Sequence, residues 1–181
     1  MREVRTTSRK DSRSQALDVE RIPLRVGYYL AGFADGEGSF HVAFRKRRDY
    51  RSMPWKISLC FNVSQRDRAV LEIFRQHLRC GSLRTRSDGV GYFEVNSLEA
   101  LAWNVVPFFE RFGFLSDKKR RDFAKFKRLV ALLREGRHLT RDGLQEVLEI
   151  RRDMNDGGAE RRKYSDTEIL LELGESSEAI R

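Results

Sequence analysis

Two acids set between glycines carry the most chemistry in this chain. Asp35-Gly36-Glu37-Gly38 lies inside the stretch LAGFADGEGSF, Leu30 to Phe40. Leu30, Ala31, Gly32, Phe33 and Ala34 read as an apolar helical turn, so a helix of small residues runs straight into a carboxylate. Carboxylate and carbonyl oxygens are the ligands that hard divalent cations such as Mg²⁺ prefer. Taken alone, the pattern also fits a helix-end cap at Asp35 and a solvated acid at Glu37. Small residues at Gly27, Ala31, Gly32 and Ala34 allow a second helix to approach closely.

Other reactive side chains are sparse. Cys60 and Cys80 are the only cysteines and form no C-x-x-C pair, which argues against zinc and against a disulfide framework. His41, His77 and His138 show no metal-ligand spacing. The 36 Lys and Arg outnumber the 27 Asp and Glu, for a net charge of +9, and this excess suits a polyanionic partner as well as a merely soluble basic protein. No apolar run approaches the roughly 18 residues needed to span a bilayer, so no membrane partner is expected. The opening MREVRTTSRKDSRSQ lacks the apolar core of a secretory signal. Its Arg and Ser content resembles a transit peptide, against which Glu3 and Asp11 argue, and a disordered basic tail is the reading adopted.

The elements that must position the acids follow from periodicity. Residues 1–21 read as that tail, 22–174 as one domain and 175–181 as a short C-terminal tail. A helix starts at Pro23 and runs to Asp35, where Gly36 and Gly38 stop it. Strict alternation over SFHVAFRKRR turns Phe40, Val42 and Phe44 to one side and Ser39, His41, Ala43, Arg45 and Arg47 to the other. KISLCFNVS repeats it, with Ile57, Leu59, Phe61 and Val63 opposite Lys56, Ser58, Cys60, Asn62 and Ser64; RRDYRSMPW connects the two strands. Ser64 then caps a helix with the stripe Val70, Leu71, Phe74 and Leu78. Two short strands follow around the SDG turn at 87–89, with Ser82, Arg84 and Arg86 on one face and Tyr92 and Glu94 outward from Phe93 and Val95. A helix after Ser97 is kinked or ended by Pro107. Another, capped by Ser116, carries Phe123, Phe126, Val130 and Leu133 and closes at Gly136. Thr140 caps the next, with a staple between Leu139 and Leu144, and NDGG ends it. Ser165 and Glu168 box the last. The class is α+β, in the order α-β-β-α-β-β-α, with a four-stranded antiparallel sheet backed by helices and extra C-terminal helices.

The apolar side of the sheet faces those helices. The other side carries His41, Arg45, Arg47, Lys56, Asn62, Arg84 and Arg86 against one clear acid, Glu94. A plain solvated face would mix signs. Arg and Asn suit guanine and adenine edges in the major groove, which admits a ribbon of strands. Ser39 to Arg48 spans roughly 33 Å at about 3.3 Å per residue, on the order of one turn of duplex.

LAGFADGEG, Leu30 to Gly38, resembles the signature of the LAGLIDADG homing endonucleases. SF after it, FNVSQRDRAVLEIF, LSDKKRRDF and LTRDGLQEVLEIRRDMND resemble later blocks of the family in order, so the likeness covers roughly Arg25 to Leu173. The resemblance implies a DNA endonuclease that uses Mg²⁺, with Mn²⁺ or Ca²⁺ able to occupy the same sites. It implies that Glu37 is the metal-binding acid, that the Gly36 carbonyl faces the metal and that Asp35 is structural. Gln65 matches the position that contacts the nucleophilic water, and Lys118, with Lys119 one step away, the active-site lysine. Arg68 is a further candidate for the pocket, set against a solvated helix residue. Lys125, Lys127 and Arg128 read as a solvated face; Arg161, Arg162 and Lys163 read equally as backbone contacts or as a charged loop. DNA contacts are expected from Ser39, His41, Arg45, Arg47, Lys56, Ser58, Asn62, Arg84, Arg86, Tyr92 and Glu94. Ala43 stands where a base-reading side chain would be expected, and Glu replaces Asp at the metal position.

One copy of the motif supplies one metal-binding acid, and two strands must be cut. The expectation is therefore a homodimer, paired through Gly27, Leu30, Ala31 and Ala34, on a nearly palindromic duplex and encoded within an intron. An RNA-binding maturase and a DNA-binding regulator with idle acids are the competing readings.

Overall fold

The computed structural model describes residues 16–46, 54–154 and 163–171. The first helix, α1 (Leu24–Glu37), passes through Gly36 and ends on Glu37, two residues later than its glycines predict. Strand β1 (Gly38–Lys46) begins on the next residue. Gly38 makes that junction possible. It is buried, its N–H bonds Ala34 O, and a Cβ there would lie 2.5 Å from the same oxygen.

Strand β2 (Trp55–Gln65) pairs antiparallel with β1 from Gly38↔Val63 to Lys46↔Trp55. Trp55, expected in the connection, is a strand residue and 2% exposed. Helix α2 (Arg68–Leu78) is capped by Asp67, whose carboxylate accepts from Ala69 N, and not by Ser64, which stays in β2. Strands β3 (Ser82–Thr85) and β4 (Gly91–Val95) complete a sheet of order β1-β2-β4-β3. Arg86 lies just past β3, though its N–H still bonds Val90 O at 2.9 Å.

Pro107 does not end its helix. Helix α3 runs over 98–112, with a π turn at Leu101–Val105 between α segments Leu98–Ala100 and Val106–Phe112. A proline has no N–H for the carbonyl four residues back. That carbonyl, Trp103 O, accepts instead from Leu17 N at 2.9 Å. Residues 16–22 are thereby part of the fold, with Leu17 8% and Ile22 6% exposed and a 3₁₀ turn at Val19–Arg21. The rest of the expected tail, residues 1–15, lies outside the described residues.

Ser116 caps helix α4 (Asp117–Arg134) and Thr140 caps α5 (Arg141–Asp153), both as predicted. Leu139 stays 64% exposed, so it makes no buried staple with the fully buried Leu144. NDGG lies outside the described residues; a last helix, α6, covers 166–171, with Glu168 N on Ser165 Oγ at 3.1 Å. The helices bury the apolar side of the sheet in a core of phenylalanines. Phe40 lies 4.7 Å from Phe126 and 5.3 Å from Phe61, while Phe74 stacks on Phe93 at 5.6 Å. Among the described residues no helix is long and apolar enough to cross a membrane.

Candidate metal and nucleic-acid site

Glu37 owes its place to the missing loop between α1 and β1. It stands exposed on the last helical residue, beside the first residue of the sheet. The end of a helix carries unsatisfied carbonyls and the negative end of its dipole, which favours a cation. Gly36 is exposed in that last turn, and a Cβ there would meet nothing within 4 Å. Among the described residues no three His, Cys, Asp or Glu cluster in one chain to enclose a metal. The donor set at this tip is one carboxylate with backbone carbonyls, all hard oxygens, and it suits Mg²⁺ or Ca²⁺.

Asp35 does not share that role. Its carboxylate accepts from Leu115 N at 3.1 Å, from Ser116 N at 2.9 Å and from the Ser116 hydroxyl. It therefore ties the end of α1 to the start of α4. Partial burial pushes the Asp35 carboxyl up, but the Ser116 hydroxyl, the two backbone N–H groups and the Lys119 charge together hold it below its ordinary value.

The structure brings Lys119 to this tip. Its amine donates to Gly38 O, next to Glu37. Burial lowers its pKa, while Asp35, Asp122 and Glu37 pull it up and Lys118 pushes it down. Lys118, the residue first aligned with the family's lysine, is exposed. Helical phase could have decided between them. Lys119 precedes Phe123 by four and Phe126 by seven, so it shares their inward stripe, and Lys118 does not.

Gln65 ends β2 at the same end of the sheet, opposite Gly91 and two residues beyond the Gly38↔Val63 pair. Its side-chain oxygen accepts from Arg66 N at 2.7 Å. Arg68 pairs along its own helix with Glu72 at 3.0 Å and remains exposed, as a solvated helix residue does.

The unbacked side of the sheet carries the expected side chains in registered rows. Ser39, Asn62, Glu94 and Ser82 form one row across all four strands. Ser64, Tyr92 and Arg84 form the next towards Gln65. Away from it follow His41 beside Cys60, Ala43 beside Ser58 and Arg45 beside Lys56. Glu94 is engaged, with Arg84 at 3.6 Å and the Cys60 thiol donating at 3.8 Å. Burial and that carboxylate push the Cys60 thiol up to about 12, so it is no nucleophile. Arg86 meets the Tyr92 hydroxyl and lies over its ring at 5.7 Å. Arg47, Arg161 and Arg162 fall outside the described residues. Lys127 and Arg128 pair with Glu110 and Glu146 of neighbouring helices, and Lys125 donates to Asp153 O.

The expected pairing surface needs correction. Gly27, Leu30, Ala31 and Ala34 are the residues that α1 buries against its own chain. A Cβ on Gly27 would fall 2.1 Å from the Phe112 ring, and Leu30 and Ala34 are fully buried. The small residues there serve internal packing. The outward stripe is Leu24, Tyr28, Gly32 and Gly36, spaced by four and ending beside Glu37. Leu24 is 55% and Tyr28 54% exposed, and Gly32 has open space where a Cβ would be.

In this chain a helix of small residues leads into an acid beside the edge strand of the sheet. A sequence model described as LAGLIDADG endonuclease matches residues 30–130, and the chain belongs to that family. The crystal structure of a homing endonuclease, I-TnaI, superposes with a TM-score of 0.67 at 33% identity, covering 86% of this chain and 97% of that one. I-SmaMI bound to uncleaved DNA target in the presence of calcium ions superposes with a TM-score of 0.68 at 26% identity, over 78% of this chain and 46% of that one. A probable intron-encoded endonuclease of Neurospora crassa is 29% identical over 155 residues, 78% of this chain. The chain spans about a third of that relative, 32% of its length.

Proposed function

We propose that this chain is an intron-encoded, site-specific endonuclease that hydrolyses both strands of a long, nearly palindromic DNA duplex as a homodimer. What carries the reading is the direct passage from the exposed tip of α1, bearing Glu37, onto a sheet face rich in Arg and Lys. The homing-endonuclease relatives, one crystallised on DNA with calcium, support it.

Two copies pair through Leu24, Tyr28, Gly32 and Gly36, which brings both Glu37 carboxylates to the middle of the duplex. Glu37, with the Gly36 carbonyl, would hold a divalent cation, Mg²⁺ in function, with Mn²⁺ or Ca²⁺ able to take its place. When bound, the ion would supply charge stabilisation at the scissile phosphate and a more acidic water. Gln65 holds the attacking water by hydrogen bonding. The Lys119 ammonium, fixed by Gly38 O, balances charge gathering on the phosphate oxygens. Asp35 and Ser116 keep that lysine's helix in register with α1. Arg45, Lys56, Asn62, Arg84 and Arg86 bind bases and backbone along one half-site.

Glu37→Gln keeps the shape of the tip and removes its charge. The expected result is loss of Mg²⁺-dependent cutting by about a thousandfold or more, the scale of losing a main charge-stabilising group, with duplex binding retained. Unchanged cutting refutes the metal assignment. Binding of structured RNA with no cutting of any duplex by the unaltered protein favours the maturase instead.

A further inference from the structure

The sheet is not four strands wide along its whole length. Strand β4 pairs with β2 only from Phe61↔Val95 to Gln65↔Gly91. Beyond that, β1 and β2 continue as a two-stranded ribbon through Arg45↔Lys56 to Lys46↔Trp55. A lone two-stranded ribbon is marginal in water. Yet Arg45 and Lys56 sit on it, seven residues past Gly38, roughly 23 Å at about 3.3 Å each. That places them on the order of seven base pairs from the middle of a duplex.

The C-terminal segment supports the underside of this ribbon. Arg151 of α5 is 5% exposed, and its guanidinium lies 4.7 Å over the Phe44 ring of β1. The same guanidinium donates to Asp166 at 3.1 Å and to Tyr164 O at 3.2 Å. Tyr164 in turn meets Trp55 of β2 edge to face at 4.8 Å. Met154, at the end of α5, and Ile169, in α6, are buried at 2% and 0% exposure. Arg151 thus touches a strand with its flat face and segment 163–171 with its edge, a two-sided contact that Lys cannot reproduce. Burying a charged pair is a poor way to gain stability compared with apolar packing, so its geometry is the feature to explain.

We propose that Arg151 is a positioning residue for the outer half-site. Clamped by Asp166 and Tyr164, it fixes the β1–β2 ribbon and hence the aim of Arg45 and Lys56. The inference rests on the open sheet face being the DNA surface.

Two measurements on the full chain test it. In amide hydrogen exchange, Arg151→Met and, separately, Tyr164→Ala should speed exchange about tenfold or more at 42–46 and 55–59, leaving 61–65 and 91–95 unchanged, because ribbon opening is local. In cleavage of a target series, both variants should lose about tenfold discrimination at outer base pairs, the scale of one base-pair contact. Discrimination at inner base pairs and the cutting rate on the best target should hold. Arg151→Lys should recover only part of the outer discrimination. Uniform exchange, or equal losses at inner and outer positions, overturns the proposal. Duplex left uncut by the unaltered protein sinks the nuclease reading as well, whereas a local exchange effect without a change in outer discrimination sinks only this one.

Discussion

The two faces of α1 use small residues for opposite ends. On the inner face, Gly27, Ala31 and Ala34 bring the helix close to its own core, and Gly27 leaves room for the Phe112 ring. On the outer face, Gly32 and Gly36 have open space where a side chain would be. The outer pair is therefore not explained by packing within the chain, and glycine inside a helix costs about 1 kcal/mol relative to alanine. Under the proposed pairing, a second helix lying along Leu24, Tyr28, Gly32 and Gly36 would account for it. Small residues alone do not mark an interface; the face they occupy decides.

The sharpest way to break this contrast is at Leu30. Leu30→Ala should destabilise the chain by about 2–5 kcal/mol through the cavity it leaves, read by urea unfolding. Gly27→Ala should cost about 1–3 kcal/mol, because Phe112 is held by Phe108 and Tyr28 and gives way with strain. Gly32→Ala is the same substitution on the other face and should stabilise the isolated chain by about 0.5–1 kcal/mol, while weakening assembly on DNA. Equal effects at 27 and 32 would erase the distinction.

The junction at the end of α1 adds a pH dependence. The Asp35 carboxyl sits below its ordinary value in the folded chain. Its stabilisation is therefore present above about pH 4 and is lost as pH falls through the lower folded value. Asp35→Asn should flatten that acid limb of the unfolding curve, with a loss of about 1 kcal/mol at neutral pH; an unchanged limb would release Asp35 from its role at the helix junction.

Periodicity carried most of the fold, because strands with one buried face write their alternation plainly into SFHVAF and KISLCFNV. It failed where tertiary contacts overrode a local signal. Pro107 stays helical because Leu17, distant in sequence, takes the carbonyl the proline frees. Gly36 does not stop α1, because Gly38 carries the chain straight into β1. Asp67 displaces Ser64 as the cap because pairing with Tyr92 keeps Ser64 in the strand. At the candidate site, the motif and its following blocks pointed to Glu37 and Gln65, and the structure places both at one end of the sheet. Lys118 and Lys119 are adjacent, so the motif left the choice between them open, and the tie from Asp35 to Ser116 was hidden by their separation in sequence. Which small residues of α1 face outward was open to helical phase, but their composition suggested the wrong set.

The central claim is that two copies of α1 meet along Gly32 above bound duplex, with Glu37 at each tip. The most direct test places a cysteine at Gly32 in a chain whose Cys60 and Cys80 are serine, and oxidises it with and without target DNA. The account predicts a disulfide-linked pair that forms on the duplex and holds two chains per site. A complex containing one chain, with position 32 unlinked while the DNA is bound, would contradict it.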